Sequence, residues 1–453
     1  MAKFKKVLKR FHIVRFLLEL RAALRKASAE FEKNDTRYRC DTILPDTTPK
    51  GAVLVSYYNT IGRERILVSE FVRNPQRSLP QIHHMEWMSL QIVRTFLDMG
   101  FEVDLISWTN DRFMPERPYV AFVDVRHNME RLAPYLNKEC VKIVHIDLCH
   151  MLYNNYGEAS RLLELQKRRG VTLQIRRSER INLAIENSDC ATIIGNDFAM
   201  NTFAYAGKAL YRVPVTCNHL YPAPVGKNVE SCRKNFLWIG SAGFVRKGLD
   251  LVLEAFSGMP EFNLYICGPV EREPDFQQAF YKELYQTPNI HTLGWMNIGG
   301  EGFLELISKC IGFVYVSCSE AQCGAVIGCL HAGLIPIISY ESDVPVSGFG
   351  IMLENNAISE IQGAVRAISN LPESELERMM QDAWNYARTN HTREIFTMQY
   401  RTLMEKLLLN QEKFHLAGCG AEEIQPSFLS DLCFTRSSEP GNTVRRLKQE
   451  TSS

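Results

Sequence analysis

The stretch of residues 312–339 constrains the possible folds more than any other part of the chain. Residues 313–316 are a short apolar run, typical of a strand buried on both faces. A polar turn and a small apolar helix over residues 324–330 follow. Gly333 is expected to end that helix before a second strand at 334–338. The order strand, turn, helix and strand predicts a βαβ unit of an α/β protein.

Polar side chains stand at the predicted carboxyl end of the first strand. They are Ser317, Ser319 and Glu320, and open α/β sheets bind their ligands at this edge. The free N–H groups at the start of the next helix, near Gly324, make a natural site for an anion. The pattern predicts a binding site, although an ordinary βαβ unit with an exposed Glu320 would contain the same residues.

A second turn with binding character occurs earlier in the chain. The apolar run 235–239 leads to Gly240 and Ser241, then to Arg246 and Lys247, before an amphipathic helix from residue 249. Two cations near a helix N-terminus can neutralise the charge that develops on a diphosphate leaving group. The alternative is a basic turn without a ligand.

The two turns together resemble the nucleotide-sugar site of GT-B glycosyltransferases, family 4 in particular. In that family an acid after the strand touches the donor sugar, which matches Glu320, and a glycine follows the helix, which matches Gly333. A second acid, eight residues after the first, holds the nucleotide ribose. Gly328 stands at that position in this chain.

The resemblance implies roles for further residues of the second domain. In the family a lysine and a basic partner hold the donor diphosphate. Lys247 matches the lysine, and Arg246 is expected to replace the arginine of the early turn, where Ser241 stands. The nucleotide base lies on the turn after the strand at 289–294. The residues implied to contact nucleotide or sugar are Gly240, Gly294, Trp295 and Gly324.

A histidine is the candidate catalytic residue of the first domain. Family members often carry a histidine at the end of an N-terminal strand, facing the cleft. His127 follows the predicted strand 119–125 and is the nearest positional match, with His150 behind it. A hydrogen-bonded structural histidine is the alternative for each.

The expected fold class is α/β, with two Rossmann-like domains whose parallel sheets face each other across a cleft. A length of 453 residues favours two domains, because single cores stop growing at smaller sizes. The expected segments are a basic amphipathic helix at 1–34, an acceptor domain at 50–220, a nucleotide-sugar domain at 230–395, a terminal helix at 396–412 and a mobile tail at 413–453.

Three further expectations concern the first domain. Residues 35–50 are interpreted as a linker, and the polar stretch from residue 57 to 80 as a long active-site loop between a strand at 51–56 and a helix. That strand, the helix and a strand at 101–107 are expected to form a βαβ unit. Most arginines between residues 158 and 180 are interpreted as a solvated face, and some could approach an anionic acceptor.

Net charge and cysteine content limit the classes of protein to which this chain can belong. A net charge of +1 gives no general case for nucleic-acid binding. The 13 cysteines lack metal-type spacing and are interpreted as reduced thiols of a cytoplasmic protein without a secretory signal or membrane span. The basic amphipathic residues 1–26 can lie on an anionic inner membrane surface. Packing against the protein body is the alternative.

The resemblance implies a hexosyltransferase. It would move a sugar from a nucleotide-sugar donor to a hydroxyl of a glycan or lipid-linked acceptor, with retained anomeric configuration. No bound metal or cofactor is implied, since the donor is a substrate and the donor loop carries no Asp-x-Asp motif. A GT-B sugar-nucleotide epimerase and a non-catalytic sugar-nucleotide-binding protein remain alternatives.

Overall fold

The computed structural model describes residues 38–43, 54–59, 64–71 and 84–409. The predicted basic helix at 1–34 and the predicted tail at 413–453 lie outside the described residues. The described chain forms two sheets flanked by helices, and a long terminal helix follows them.

The first sheet has eight strands. They are β1 (Tyr38–Ile43), β2 (Leu54–Asn59), β3 (Arg65–Glu70), β4 (Glu102–Ser107), β5 (Ala121–Asp124), β6 (Val141–Ile146), β7 (Cys190–Ile193) and β8 (Ala209–Arg212). Their spatial order is β1-β2-β4-β3-β5-β6-β7-β8. β2 pairs antiparallel with β1 and β4, and all other neighbours are parallel. The associated helices are α1 (His84–Asp98), α2 (Asn128–Leu132), α3 (Met151–Arg169) and α4 (Asp197–Phe203), with 3-10 turns at Ala133–Tyr135 and Ala204–Ala206.

Two expectations for the start of this domain are wrong. Residues 38–43, expected in a linker, form edge strand β1. Residues 65–70, expected in an active-site loop, form β3 in the interior of the sheet. The parallel βαβ unit is therefore β3–α1–β4, whereas β2 runs antiparallel to β4.

Charged residues at both ends of β3 make this strand hard to predict from the sequence. The apolar centre, residues 66–68, is fully buried. Arg65 is only 8% exposed because it pairs with Glu102 and donates to Asp104 Oδ1 at 2.5 Å. The Tyr119 hydroxyl donates to the same aspartate at 2.7 Å. The buried arginine is thus neutralised by two carboxylates on the neighbouring strand, as buried charges require.

The second sheet has six strands, all parallel to their neighbours. They are β9 (Asn235–Ile239), β10 (Asn263–Cys267), β11 (Ile290–Gly294), β12 (Gly312–Tyr315), β13 (Ile335–Ser339) and β14 (Ile351–Leu353). The order is β11-β10-β9-β12-β13-β14. The predicted fold class, α/β with two Rossmann-like parallel-sheet domains, is confirmed.

Helices of different lengths precede, connect and follow these strands. They are α5 (Val229–Cys232), α6 (Leu249–Ser257), α7 (Pro274–Ala279), α8 (Tyr281–Gln286), α9 (Glu301–Lys309), α10 (Gly324–His331), α11 (Ile358–Ser369), α12 (Glu373–Asn390) and α13 (Arg393–Leu408), with 3-10 turns at Val270–Arg272 and Tyr340–Ser342. Gly333 has φ +64° directly after α10, so it ends that helix as predicted.

The terminal helix α13 returns to the first domain and packs on α1. The ring of Phe396 lies 5.9 Å from that of Trp87, and the ring of Tyr400 lies 6.2 Å from that of Phe96. Phe96, Phe396 and Tyr400 are fully buried. Apolar burial therefore attaches the end of the chain to the beginning of the fold.

Three arginines, in α3 and in the segment that follows it, also join the two domains. Their interpretation as part of a solvated face was therefore wrong. Each pairs with a carboxylate of the second domain, and the pairs are Arg168–Asp250 at 2.7 Å, Arg169–Glu283 at 2.8 Å and Arg176–Asp275. Asp250 is fully buried. Several arginines of residues 158–180 therefore form ion pairs between the domains.

Some features are absent from the part of the chain that the structure describes. None of its helices combines the length and apolar character needed to cross a membrane. Its His, Cys, Asp and Glu residues form no group of three that could hold a metal ion. Its cysteines are free thiols, and most are buried.

Candidate donor-binding site

The candidate site lies where the connections of the second sheet reverse direction. The chain leaves β9 towards β10 on one side, and it leaves β12 towards β13 on the other. β9 and β12 are neighbours, so the turns at their carboxyl ends meet. Such a switch point is the usual ligand-binding crevice of an open α/β sheet.

Arg246, Lys247 and Glu320 come together at this point. The two guanidinium NH groups of Arg246 donate to the two carboxylate oxygens of Glu320 at 3.2 and 3.3 Å. Lys247 Nζ lies 3.4 Å from Glu320 Oε1 and donates to the Tyr315 hydroxyl at 2.8 Å. The Tyr315 hydroxyl donates to the same Glu320 oxygen at 3.0 Å. One carboxylate thus orders two cations that lie 74 and 73 residues away in sequence.

The electrostatics of the cluster favour its charged form. Burial disfavours the ionised Glu320 carboxylate, but the charges of Arg246 and Lys247 outweigh burial and lower its pKa to about 2. Burial likewise disfavours the charged Arg246 guanidinium, and Glu320 more than compensates, so the pKa of Arg246 is raised. At neutral pH the cluster carries two positive charges and one negative charge, which leaves a net positive field at the crevice.

A glycine brings the two turns into contact. Gly248 has φ +73° and caps the N-terminus of α6. A Cβ at this position would lie 2.4 Å from the Val316 carbonyl oxygen, so only glycine fits. The close approach places Lys247 beside the end of β12.

Asn154 of α3 completes the environment of Arg246 and was missed by sequence reasoning. Arg246 is 1% exposed, and its Nε donates to Asn154 Oδ1 at 3.2 Å and to Ser319 Oγ at 3.0 Å. Ser319 Oγ also donates to Asn154 Oδ1 at 3.1 Å. Asn154 is itself fully buried. The first domain therefore contributes a polar side chain to a site of the second.

Arg177 is a further cation that sequence reasoning did not single out for this site. Its side chain covers the turn after β9, because a Cβ on Gly243 would lie 3.0 Å from Arg177 Cγ. Its charge helps to lower the pKa of Glu320. Glu158 holds the backbone here by accepting the N–H groups of Arg176 and Arg177 at 2.8 and 2.9 Å. The arginine-rich run 158–180 was the available signal.

The glycine turns predicted to contact the nucleotide lie at the ends of β9 and β11, the two strands that flank β10. Gly240 follows β9, and an added Cβ would lie 3.2 Å from Lys247 Cδ. Ser241 next to it is exposed. Gly294 ends β11 with φ +72°, and the described structure leaves the space at its Cβ position open. Trp295 is 64% exposed, with the Arg272 guanidinium 5.8 Å from its ring centre. The exposure of Trp295 argues against a core-packing role.

Gly324 lies at the start of α10 and against the first domain. A Cβ at this position would lie 2.8 Å from His84 Cε1 of α1. The first turn of α10 therefore faces the boundary between the domains. Gly328, one turn later, has only Cys217 Sγ within 4 Å of a built Cβ among the described residues. The surroundings of Gly328 leave space for a larger side chain. A glycine, however, has no carboxylate that could bind a ribose.

His127 lies apart from the Arg246 cluster in the contacts that the structure shows. It is the N-cap of α2, and its ring lies against that of Trp108, with centroids 5.5 Å apart and the planes tilted by 34°. It lines a cavity of about 60 Å³ together with Arg126, Asp147 and Glu179, all from the first domain. Burial, followed by the charge of Arg126, lowers its pKa, so the ring is neutral at pH 7. Within the described residues its Nδ1 atom is buried without a hydrogen-bond partner.

His150, the reserve candidate, has a structural environment. Its ring accepts the N–H of Leu152 at 3.3 Å and so caps α3. Its other ring nitrogen lies 3.1 Å from the Tyr205 hydroxyl. The residue therefore positions α3, which carries Asn154.

Comparisons with known proteins identify the fold. No model of a known protein family matches the chain, and no curated protein matches it in sequence. Similar solved structures include a sucrose-phosphate synthase from Thermosynechococcus elongatus, at 13% identity and TM-score 0.53, with 77% of this chain and 100% of that chain covered. A glycosyltransferase from Rickettsia africae ESF-5 matches at 11% identity and TM-score 0.52, with 77% and 99% covered. An OtsA structure matches at 8% identity and TM-score 0.51, with 76% and 99% covered. At these identities the likeness concerns the fold alone, and that fold is GT-B.

Proposed function

We propose that the protein is a glycosyltransferase that moves a sugar from a nucleotide-sugar donor to an acceptor hydroxyl. The observation that carries the proposal is the cluster of Arg246, Lys247 and Glu320 at the switch point of the second sheet. A net positive crevice of this kind suits a diphosphate. The name of one structure with a similar fold, a glycosyltransferase, is consistent with this function.

Each member of the cluster has a proposed role in the reaction. Lys247 and Arg246 stabilise the negative charge that develops on the departing nucleoside diphosphate. Arg177 adds a third positive charge on the same side. Glu320, ionised because its pKa is lowered to about 2, accepts hydrogen bonds from the sugar hydroxyls and orients the ring. The open space at Gly294 and the exposed ring of Trp295 suit the nucleotide base.

The finer parts of the proposal rest on the family resemblance. They are membership of family 4, retention of the anomeric configuration, and catalysis without a metal or other cofactor. His127 is proposed to face the acceptor, and its neutral ring can accept a proton from an acceptor hydroxyl. The Ser241 hydroxyl is proposed to donate to the diphosphate.

The acceptor is proposed to be a glycan or a lipid-linked glycan, and the location cytoplasmic with peripheral attachment to the inner membrane face. The attachment depends on residues 1–26, which lie outside the described residues. Deleting them should move the protein from anionic vesicles to the supernatant in a sedimentation assay. Equal sedimentation of both forms would refute the attachment.

A non-catalytic sugar-nucleotide-binding protein is the second candidate. Gly328 favours it, because a glycine stands where the family holds the ribose with an acid. Turnover decides between the two: tight binding of a nucleotide sugar without release of nucleoside diphosphate would favour the binding protein.

The deciding experiment compares Lys247→Ala with Lys282→Ala. UDP-, GDP-, ADP- and CMP-sugars are screened by thermal shift and by release of free nucleotide. We expect one donor to stabilise the parent, and Lys247→Ala to weaken its binding and turnover at least tenfold. Lys282 is an exposed lysine on α8, so Lys282→Ala should behave like the parent. Equal donor affinity and turnover in Lys247→Ala would refute the diphosphate role.

A further inference from the structure

We propose that a groove beside α3, adjacent to the turn after β12, binds an uncharged oligosaccharide. The groove lies between α3 and the loops that follow β13 and β14, and its volume is about 760 Å³. This volume is within the usual range of ligand pockets, roughly 300–1,000 Å³. The inference rests on the proposed function. An enzyme that extends a glycan also has to bind those sugar units of the glycan that lie far from the reacting hydroxyl.

Exposed tyrosine rings form the walls of the groove. Tyr153 and Tyr156, one turn apart on α3, are 53% and 75% exposed, and Tyr340 on the opposite wall is 42% exposed. Tyrosine combines a flat apolar ring with a polar hydroxyl, and it is enriched at binding surfaces for that reason. A sugar ring has matching chemistry, with an apolar C–H face and hydroxyls around its edge. Rings this exposed contribute little to the core of the fold.

Amide and carboxylate groups supply hydrogen-bond acceptors between the rings. Asn356 has φ +58°, an unusual backbone conformation for a residue other than glycine. Among the described residues, Asn356 Oδ1 and Glu341 Oε2 are buried atoms without a hydrogen-bond partner. Both residues line the groove, as do Asn201 and Asn355. Side chains of this kind pair with hydroxyl donors and acceptors, which a glycan carries along its whole length.

The charge of the lining favours an uncharged glycan. Its cations are Arg161 and Arg168, and its anions include Glu164 and Glu341. Arg168 is already paired with Asp250. A polyanionic chain would therefore find no excess of positive charge in the groove, in contrast to the crevice at Arg246.

The groove borders the donor loop, residues 317–320, because Cys318 of that loop is one of its lining residues. Gly157 abuts that loop, because a Cβ there would lie 2.7 Å from the Cys318 carbonyl oxygen. Asn154, one turn earlier, contacts Arg246 and Ser319. One helix thus carries the tyrosines of the groove and the asparagine that contacts Arg246, so a glycan in the groove would lie directly beside residues 317–320.

The test measures glycan binding by saturation-transfer NMR, with the full chain and without any nucleotide. The probes are maltohexaose, cellohexaose and N-acetylchitohexaose. At least one is expected to bind, and Tyr156→Ala should weaken that binding about tenfold. Asn356→Gly should also weaken it, since glycine keeps the left-handed backbone while removing the amide. The control is Tyr135→Ala, which removes a tyrosine that is 62% exposed outside the groove.

Two results would overturn the inference. One is the absence of binding for all three hexasaccharides. The other is binding that Tyr156→Ala and Asn356→Gly leave unchanged. Neither depends on donor turnover, so failure of the glycan groove and failure of the proposed transferase activity are distinguishable.

Discussion

Replacing Glu320 with glutamine should remove the anion that orders the two site cations. Glutamine keeps the shape of the side chain but carries no charge, and it leaves Arg246, 1% exposed, without a counter-ion. The pKa of Glu320 falls from 4.5 to about 2 on folding. Each pKa unit corresponds to about 1.4 kcal/mol, so the ionised carboxylate stabilises the fold by about 3 kcal/mol at neutral pH.

The sign of the pH dependence follows from the direction of this shift. Because the folded pKa of Glu320 is below the unfolded value, its contribution is complete above about pH 4.5 and is lost as the pH falls towards 2. Glu320→Gln should therefore be less stable than the parent by about 3 kcal/mol at pH 7, and the difference should shrink at pH 3. The measurement is urea-induced unfolding followed by tryptophan fluorescence at both pH values.

Anion affinity gives a second measure of the same variant. The Glu320 carboxylate repels a diphosphate bound by Arg246 and Lys247, and removing its charge removes a repulsion on the order of 1 kcal/mol or more. Glu320→Gln should therefore bind inorganic pyrophosphate several-fold more tightly than the parent while losing sugar transfer. Glu305→Gln is the control, since Glu305 forms an exposed pair with Lys309. The reasoning is refuted if Glu320→Gln matches the parent in both stability and pyrophosphate affinity.

Three further variants test other parts of the structure. Burial raises the pKa of Glu70 to about 8, so the folded protein favours the protonated carboxyl and its free energy of unfolding falls by up to about 5 kcal/mol as pH rises from 4.5 to 8. Glu70→Gln cannot ionise and should show no such fall when urea unfolding is measured at pH 5 and pH 8. The same pH dependence in Glu70→Gln and the parent would contradict this. Arg168→Gln removes the ion-pair partner of buried Asp250 and leaves the charge of Arg161 to stabilise that carboxylate, so the fold should lose about 3 kcal/mol. A double-mutant cycle with Asp250→Asn that shows no coupling would refute the interdomain pair. Gly248→Ala should lower the melting temperature by several degrees more than Gly226→Ala, since both have positive φ but the space at Gly226 is open, and equal shifts would speak against the close contact.

The second domain could be predicted because each local signal agrees with its final environment. The runs at 235–239, 263–267 and 312–315 are apolar, short and followed by turn residues, and each is an interior parallel strand. Local pattern therefore decides the structure of these strands. The same turns carry Lys247 and Glu320, so their proximity follows from the order of the strands.

The first domain was harder to predict because long-range pairing overrides local pattern there. The ends of β3 are charged, and only the partners of Arg65 on β4 explain why it is buried. The arginines at 168, 169 and 176 look solvated until their acidic partners, 82 to 114 residues away, are known. Asn154 has no sequence signal of its own, since an asparagine inside a helix usually faces solvent.

His127 shows a different limit of sequence reasoning. Its position after a strand was predicted from the apolar run 119–125 and its role from the resemblance, and it does follow β5. Whether it reaches the donor cluster depends on the relative placement of two domains, and no local pattern encodes that placement. The contacts of its ring are with Trp108 and the Arg126 network of its own domain.

The hydrogen bond between Asn154 and Arg246 makes the charge arrangement of the donor site conditional on how the halves of the molecule meet. If the halves moved apart, the guanidinium would keep Glu320 but lose the amide oxygen that fixes its tilt. The orientation of Arg246 would then depend on contact between the halves, and separated halves would leave its guanidinium less constrained. Under the proposed function, this dependence would keep a bound donor unreactive towards water until the halves meet.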